Sequence, residues 1–230
     1  MKTELIVALD VPTPDAIAPI LAGLPAEIRW YKIGLELFCA AGPRALAPLQ
    51  AAGKNIFLDL KLHDIPRTVA RAVTAAAGHG VQLLTLHAAG GQAMLAAAAT
   101  AARASAQPPR LIAITTLTSL AQSDFDDLGI ARSLPEQAQA LGRMAMNAGL
   151  DGVVTSVHEA AALRAALGPR ALLVTPGIRL AGDAVGDQKR VATPAAARTA
   201  GANYIVVGRP ILEAADPAAA ARQILEACRA

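Results

Sequence analysis

Several features that would assign this chain to other classes of protein are missing from its sequence. No cluster of lysine and arginine occurs, and no basic stripe is interleaved with aromatic residues, which make up only 3% of the chain. We therefore predict no binding to nucleic acid. No apolar stretch is long and unbroken enough to cross a bilayer, so we predict no membrane association either.

The chain is also poor in cysteine. Its two cysteines, Cys39 and Cys228, lie far apart and lack the spacing of metal ligands, which predicts reduced thiols in a cytoplasmic protein. The first residues lead into a strand-like run that ends in Asp10, and they do not form the apolar core of a secretion signal. The net charge of +3 is compatible with a small anionic molecule as substrate.

What the sequence does contain is an alternation of short apolar runs and alanine-rich segments, which is typical of parallel strands joined by helices. Eight such units predict a (β/α)8 TIM barrel, and we expect a single catalytic domain over residues 1–230. No Gly-x-Gly-x-x-Gly motif follows the first strand, which disfavours a dinucleotide-binding fold. The predicted strands are Leu5–Leu9, Trp30–Ile33, Ile56–Leu62, Val81–His87, Leu111–Leu117, Gly152–Thr155, Leu172–Pro176 and Tyr204–Gly208.

One stretch, residues 56–69, carries most of the chemical information. It starts as an apolar strand, but Asp59 and Lys61 interrupt it and, with a side-chain period of two, share one face. Asp64 follows at the junction with the next helix, where Pro66 suits a first helical turn. A structural ion pair with an N-cap aspartate is one interpretation. We favour the other, an Asp–Lys–Asp active-site relay.

Polar residues also stand at the ends of the other predicted strands. In a (β/α)8 barrel the carboxyl ends of the strands build the active site, so these side chains should converge on one mouth. They are Asp10, Lys32, His87, Thr118, Ser119, Ser156, Pro176-Gly177 and Gly208-Arg209.

The loops after strands seven and eight commonly bind phosphate in these barrels. Glycine lets backbone N–H groups approach an oxyanion closely, and a guanidinium can bind it through two hydrogen bonds. We predict that Arg179–Arg190 forms a mobile lid and that residues 119–133 form a solvated acidic loop. The alternative is that Gly208 makes only a tight turn and Arg209 is a solvated surface residue. The candidate phosphate ligands are Pro176, Gly177, Arg179, Gln188, Gly208 and Arg209.

The charge state of Lys61 limits the chemistry at strand three. Between Asp59 and Asp64 its side chain should stay a protonated ammonium. That suits a proton donor to a carbanion and argues against a Schiff-base aldolase, which needs a neutral amine. Asp59 would also disfavour an anionic substrate group beside it and so promote the departure of that group.

These residues resemble the orotidine 5′-phosphate decarboxylase family. The run from Asp59 to Val69 is similar to that family's motif, and further matches follow in the family's order along nearly the whole chain. The resemblance implies a cofactor-independent carboxy-lyase, without metal, that converts orotidine 5′-monophosphate to uridine 5′-monophosphate in the last step of pyrimidine (UMP) biosynthesis. The matches are Ala8-Leu9-Asp10, Tyr31-Lys32-Ile33-Gly34, His87-Ala88-Ala89-Gly90-Gly91, Leu117-Thr118-Ser119, Pro176-Gly177-Ile178-Arg179, Gly186-Asp187-Gln188 and Val207-Gly208-Arg209-Pro210-Ile211.

The resemblance also implies a role for each site residue. Lys61 would protonate C6 of the pyrimidine, with Asp59, Lys32 and Asp64 completing the catalytic network. The protein would be a homodimer with shared active sites, in which Asp64, Ile65 and Thr68 reach the neighbouring subunit's site. The remaining contacts would be Asp10 and Lys32 to ribose hydroxyls, Thr118 to the base, and Pro176, Arg179, Gln188, Gly208 and Arg209 toward the phosphate.

Two rival interpretations stay open at this point. The 3-keto-gulonate-phosphate decarboxylases and hexulose-phosphate synthases share an Asp-x-Lys-x-x-Asp strand, but they bind Mg²⁺ and carry an acidic residue where this chain has Lys32. The second rival is a phosphate-ligand-binding barrel without catalysis. This interpretation is disfavoured because so many charges are costly to hold close together, and a protein that only binds a ligand does not need them.

Overall fold

Eight parallel strands of the computed structural model follow one another around a closed barrel, and the last strand pairs with the first. The structure describes residues 3–180 and 191–229. The predicted (β/α)8 TIM barrel is thereby confirmed. The strands are β1 (Glu4–Leu9), β2 (Trp30–Ile33), β3 (Asn55–Leu62), β4 (Leu83–His87), β5 (Arg110–Ile114), β6 (Gly152–Val154), β7 (Leu172–Thr175) and β8 (Tyr204–Val207).

Helices surround the barrel and connect its strands, and none among the described residues is long and apolar enough to cross a membrane. Short 3₁₀ segments are found at Pro14–Ala16, Gly42–Leu46 and Ala88–Gly90. The α-helices are α1 (Ile17–Gly23), α2 (Leu35–Ala41), α3 (Ala47–Ala51), α4 (Pro66–Gly78), α5 (Gly91–Arg103), α6 (Gln122–Asp127), α7 (Leu134–Asn147), α8 (Val157–Leu167), α9 (Pro194–Thr199), α10 (Arg209–Leu212) and α11 (Pro217–Arg229).

The strands are buried on both faces, which is why they appear in the sequence as apolar runs rather than as alternating patterns. Inward-facing side chains such as Ile6, Trp30 and Phe57 form one cluster inside the barrel. Their neighbours, such as Val7 and Leu58, belong to a second cluster between the sheet and the helices. Two apolar layers therefore hold the strand ends, and the groups they carry, in place.

Helix α4 begins immediately beyond the charged end of β3. Ile65 is its N-cap, and Pro66 occupies a position in the first turn where a missing N–H costs nothing. Val69 and Val73, one helical turn apart, are buried. Residues 63–68 are all exposed, so the first turn of α4 is solvated while its later turns pack in the core.

The structure corrects two expectations from the sequence. Strand β5 ends at Ile114 and not at Leu117, because the chain leaves the sheet there to line a cavity. Residues 119–133 contain helix α6 and are not simply a solvated loop. Phe125 is buried, and the Asp124 carboxylate accepts a hydrogen bond from the Ala121 N–H at 2.6 Å. An acid that suggested a solvated loop therefore caps a helix.

Cys39 and Cys228 are both free cysteines. Cys39 is exposed and Cys228 is buried. Burial raises the pKa of the Cys228 thiol to about 11, so this group stays an uncharged thiol at neutral pH. The single-domain organisation of all 230 residues stays a prediction, since residues 181–190 lie outside the described ranges.

Candidate active site

A cavity of about 400 Å³ opens at the carboxyl ends of the strands, where barrels of this class build their active sites. It is lined by residues from several different strand ends, including β1, β2, β3 and β8. Eleven of the residues predicted from the sequence line it, whereas the predicted strand-end residues His87 and Ser156 do not. The eleven are Asp10, Lys32, Asp59, Lys61, Thr118, Ser119, Pro176, Gly177, Arg179, Gly208 and Arg209.

Four charged side chains of alternating sign form a chain along this cavity. Lys32 Nζ lies 2.9 Å from Asp10 Oδ1 and 3.9 Å from Asp59 Oδ2, and Lys61 Nζ lies 3.3 Å from the same Asp59 oxygen. Lys32 and Asp59 are buried, whereas the Lys61 side chain is 34% exposed. Buried charges are costly unless opposite charges face them, so each member depends on its neighbours. Lys61 stands at the end of this chain and presents its ammonium to the cavity.

The backbone of β3 is irregular at this point. Leu58 pairs with Leu84 and Leu62 with Leu86, so residues 59–61 of β3 stand opposite a single residue of β4. Lys61 has φ 50°, the left-handed region that non-glycine residues adopt at a cost of about 1–3 kcal/mol. Asp59 and Lys61 nevertheless both line the cavity, while Leu60 between them packs against the outer apolar cluster, so the alternation of side chains is kept across the bulge.

Thr85 is the residue of β4 opposite the bulge, and the sequence analysis did not identify it. Its hydroxyl accepts a hydrogen bond from the Lys61 N–H at 2.9 Å and donates one to Asp59 Oδ1 at 2.8 Å. Thr85 is fully buried. The only signal in the sequence is a hydroxyl residue within the otherwise apolar run Leu83-Leu84-Thr85-Leu86, and this pattern is also common in strands without function.

Gly34 is a second residue whose role needed the structure. A Cβ at this position would stand 2.8 Å from Lys32 Nζ and 3.4 Å from Asp10 Oδ1. A side chain here would therefore push the ammonium, the mobile end of the lysine side chain, from its present place beside the carboxylate. The sequence places Gly34 two residues after Lys32, but only the geometry explains the pairing.

Three predicted site residues, Asp64, Ile65 and Thr68, do not line the cavity of their own chain. All three are exposed, and Ile65 is 66% exposed. The Asp64 carboxylate accepts a hydrogen bond from the Ile65 N–H at 2.6 Å. Within one chain, the structure thus brings together the first two members of the predicted Asp–Lys–Asp relay and leaves Asp64 apart.

Glycine and arginine line the opposite side of the cavity, after β7 and β8. A Cβ at Gly208 would stand 3.3 Å from Ala8 Cβ and 3.4 Å from Asp10 Oδ2, so the end of β8 lies close against β1. Gly177 has φ 76°, which favours glycine. Both Arg179 and Arg209 line the cavity here. Gln188 and residues 181–190 of the predicted lid lie outside the described residues.

Two histidines lie close together at the ends of β3 and β4. The ring centroids of His63 and His87 are 5.4 Å apart. Burial lowers the pKa of His87, and the nearby His63 and Lys61 lower it further, while Asp59 acts in the opposite direction. The neutral imidazole of His87 is therefore favoured beside the charged chain.

Comparison with known proteins assigns the family. The family described as Orotidine 5′-phosphate decarboxylase / HUMPS matches residues 3–224. The chain belongs to this family. The orotidine 5′-phosphate decarboxylase of Opitutus terrae is 49% identical over 225 residues, which cover 98% of both chains. That of Anaeromyxobacter sp. (strain K) is 51% identical over 217 residues, or 94% of both chains.

A solved structure of the family supports the same assignment. The crystal structure of orotidine 5′-phosphate decarboxylase from Lactobacillus acidophilus superimposes with a TM-score of 0.86 at 37% identity, and the alignment covers 99% of both chains. The family description names HUMPS as well as orotidine 5′-phosphate decarboxylase, so membership alone does not distinguish between these two groups of enzymes. Among residues 3–180 and 191–229, no group of three or more His, Cys, Asp or Glu side chains is placed to hold a metal ion.

Proposed function

We propose that this chain converts orotidine 5′-monophosphate to uridine 5′-monophosphate and CO₂, the last step of UMP biosynthesis. The observation that carries the proposal is the Asp59–Lys61 pair, 3.3 Å apart, at the end of a charge chain inside the strand-end cavity. The family match and the shared name of the relatives support this reaction.

The proposed chemical step is a proton transfer coupled to loss of the carboxylate. The bond between C6 of the pyrimidine and its carboxylate breaks, and its electron pair stays on C6. The Lys61 ammonium gives a proton to C6, and the neutral amine that remains is reprotonated from solvent. A lysine beside one carboxylate and partly exposed to the cavity has both the charge and the access that a general acid needs.

Asp59 is proposed to act on the leaving carboxylate. It is held within the charge chain, so it cannot easily turn away from an anionic substrate group next to it. Repulsion between two carboxylates is relieved when the substrate's carboxylate departs as neutral CO₂. The effect therefore favours the transition state over the bound substrate, which is what a rate increase requires.

The rest of the cavity is proposed to bind the remainder of the nucleotide. Asp10 and Lys32 would hold ribose hydroxyls, and Thr118 would contact the base. Arg179 and Arg209 line the opposite side, where their charges suit a phosphate. Pro176, Gly208 and Gln188 complete the proposed substrate contacts.

We also propose that the active enzyme is a homodimer in the cytoplasm, with each site completed by the partner. Asp64, Ile65 and Thr68 do not line their own chain's cavity and are exposed, which supports a role in a neighbouring subunit. An isoleucine side chain that is 66% exposed beside an exposed aspartate is also suited to an interface.

Mixing two inactive variants tests the shared site. Lys61→Ala and Asp64→Ala protomers, each inactive alone, should form heterodimers in which one of the two sites contains only wild-type residues. Activity should then return after subunit exchange, toward about a quarter of the wild-type value for an equimolar random mixture, since half of the dimers carry one intact site. A mixture that exchanges subunits, verified by mass, and yet stays inactive would rule out the shared site.

The first experiment for the reaction itself is an absorbance assay of orotidine 5′-monophosphate loss, run with and without EDTA. A Mg²⁺-dependent enzyme of the 3-keto-gulonate-phosphate decarboxylase and hexulose-phosphate synthase type would leave this substrate unchanged. The end of β2 favours the decarboxylase, because Lys32 stands there and would repel a divalent cation. Turnover that EDTA does not change supports the proposal, and absence of turnover contradicts it.

A further inference from the structure

The hydroxyl of Thr85 contacts both elements on which the proposed reaction depends. It accepts a hydrogen bond from the backbone N–H of Lys61, and it donates its only proton to the carboxylate of Asp59. The direction of both bonds is determined by the donors available. A backbone N–H cannot accept, so the single hydroxyl proton points to the carboxylate.

This arrangement divides the two oxygens of Asp59 between different partners. Oδ1 is held by Thr85 at 2.8 Å, while Oδ2 lies 3.3 Å from Lys61 Nζ and 3.9 Å from Lys32 Nζ. Rotation of the carboxylate about its own axis would break the bond to Thr85. The hydroxyl therefore determines which way the carboxylate plane faces in the cavity.

The second bond acts on the backbone. Because residues 59–61 stand opposite Thr85 alone, the regular ladder cannot supply a partner for every N–H of the bulge. The hydroxyl takes the place of that partner for Lys61, whose φ of 50° must be held against its conformational cost. A β-branched side chain with a stiff χ1 angle, itself fully buried, is well suited to this task.

We propose that Thr85 is a positioning residue for the proposed decarboxylation, which keeps the Asp59 carboxylate and the Lys61 side chain in their reactive arrangement. This inference rests on the proposed function. It goes beyond that function by assigning a role to a buried residue of β4 that does not line the cavity. Its effect should therefore fall on the chemical step rather than on nucleotide binding.

The test compares two substitutions at Thr85. Thr85→Val keeps the shape but leaves a buried N–H and a carboxylate oxygen without their partner, and we expect kcat to fall about 10- to 100-fold with KM within about threefold. Thr85→Ser keeps both hydrogen bonds and should retain kcat within about threefold. The affinity for uridine 5′-monophosphate should stay unchanged in both variants.

Thr175→Val provides a matched control. Thr175 is also fully buried at a strand end, but its hydroxyl donates to the Tyr204 carbonyl and it does not line the cavity. Its kcat should stay within about twofold of the wild type. Equal losses of kcat in Thr85→Val and Thr175→Val, or a normal kcat in folded Thr85→Val, would overturn the inference.

Two further measurements keep the test decisive. If Thr85→Val does not fold, Thr85→Cys replaces it, and its weakly hydrogen-bonding thiol should give a kcat clearly below that of Thr85→Ser. A crystal structure of the Val or Cys variant should show the Asp59 carboxylate turned from its present orientation, a readout that needs no activity. Wild-type turnover and its loss in Lys61→Ala test the proposed function separately, so the two failures are distinguishable.

Discussion

The interior of the barrel has two regions that differ sharply although the same strands build both. Each of the strands β1 to β4 has one inward-facing residue that is apolar, and we call these four residues the lower level. Two residues further along each strand, the next inward-facing side chain is small, charged or polar, and we call these four residues the upper level. The lower level comprises Ile6, Trp30, Phe57 and Leu83. The upper level comprises Ala8, Lys32, Asp59 and Thr85.

The difference shows how the fold separates stability from chemistry. The lower level is apolar and buried, so a loss of volume there should lower the free energy of unfolding. Of its four residues, only Phe57 also lines the cavity. The upper level holds charges that are costly to bury, and they are stabilised by one another and by Thr85. Substitutions at the upper level should therefore mainly lower activity, whereas substitutions at the lower level should mainly lower the free energy of unfolding.

The largest expected effect is that of Lys61→Ala, which removes the proposed proton donor from the upper level. We expect kcat to fall at least about a thousandfold, or about 4 kcal/mol, with little change in fold or in affinity for uridine 5′-monophosphate. Lys54→Ala is the matched control. Lys54 lies just before β3, donates to the backbone carbonyls of Ala26 and Ile28, and does not line the cavity. A variant at residue 61 that keeps more than about a tenth of the wild-type kcat contradicts the assignment.

Arg209→Ala tests whether the phosphate side also contributes to catalysis. Binding energy from the phosphate can offset the cost of holding the substrate carboxylate against Asp59. We therefore expect a decrease in kcat/KM that corresponds to about 2–5 kcal/mol of lost transition-state stabilisation. A substrate without its phosphate should react poorly, and added phosphite should partly restore the rate. Arg222→Ala, on the exposed face of α11, is the control. Near-normal kcat/KM for both the variant and the truncated substrate would place the phosphate site elsewhere.

Within the inner apolar cluster, Ile112→Ala should act on stability and spare the reaction. Ile112 is fully buried in the inner cluster and does not line the cavity. We expect the free energy of unfolding to fall by about 2–5 kcal/mol, measured by urea titration, and only by about 0.5–1.5 kcal/mol in Ile112→Val. The kcat per folded molecule should stay close to that of the wild type. A large loss of kcat in the folded variant would mean that the two levels are not separate.

The smallest expected effect concerns His87, which borders the upper level. Its folded-state pKa lies below the ordinary value, so at pH values between the two the unfolded chain binds more protons. The free energy of unfolding should therefore decrease as the pH falls through this window. His87→Gln should show a weaker decrease between pH 7.5 and pH 5.5 in urea titrations. An unchanged pH dependence would show that His87 does not contribute to it.

The fold and most of the cavity could be predicted from the sequence. Parallel strands buried on both faces are visible as apolar runs, and a strand's period of two places Asp59 and Lys61 on one face without any tertiary information. The predicted end of the fifth strand was wrong, because residues that favour strands continue past Ile114 although the chain leaves the sheet there. The capping role of Asp124 was missed because a solvated aspartate and a helix cap have the same local sequence signal.

The sequence by itself determined the order of the elements and the residue types at each strand end, because periodicity and composition are local properties. Only the tertiary structure decided which of these groups meet. The Lys32–Asp59 contact and the two hydrogen bonds of Thr85 each join different strands, and Gly34 lies against the ion pair of Lys32 and Asp10. Such contacts depend on strand register and on a bulge in β3, and no local pattern encodes either of them.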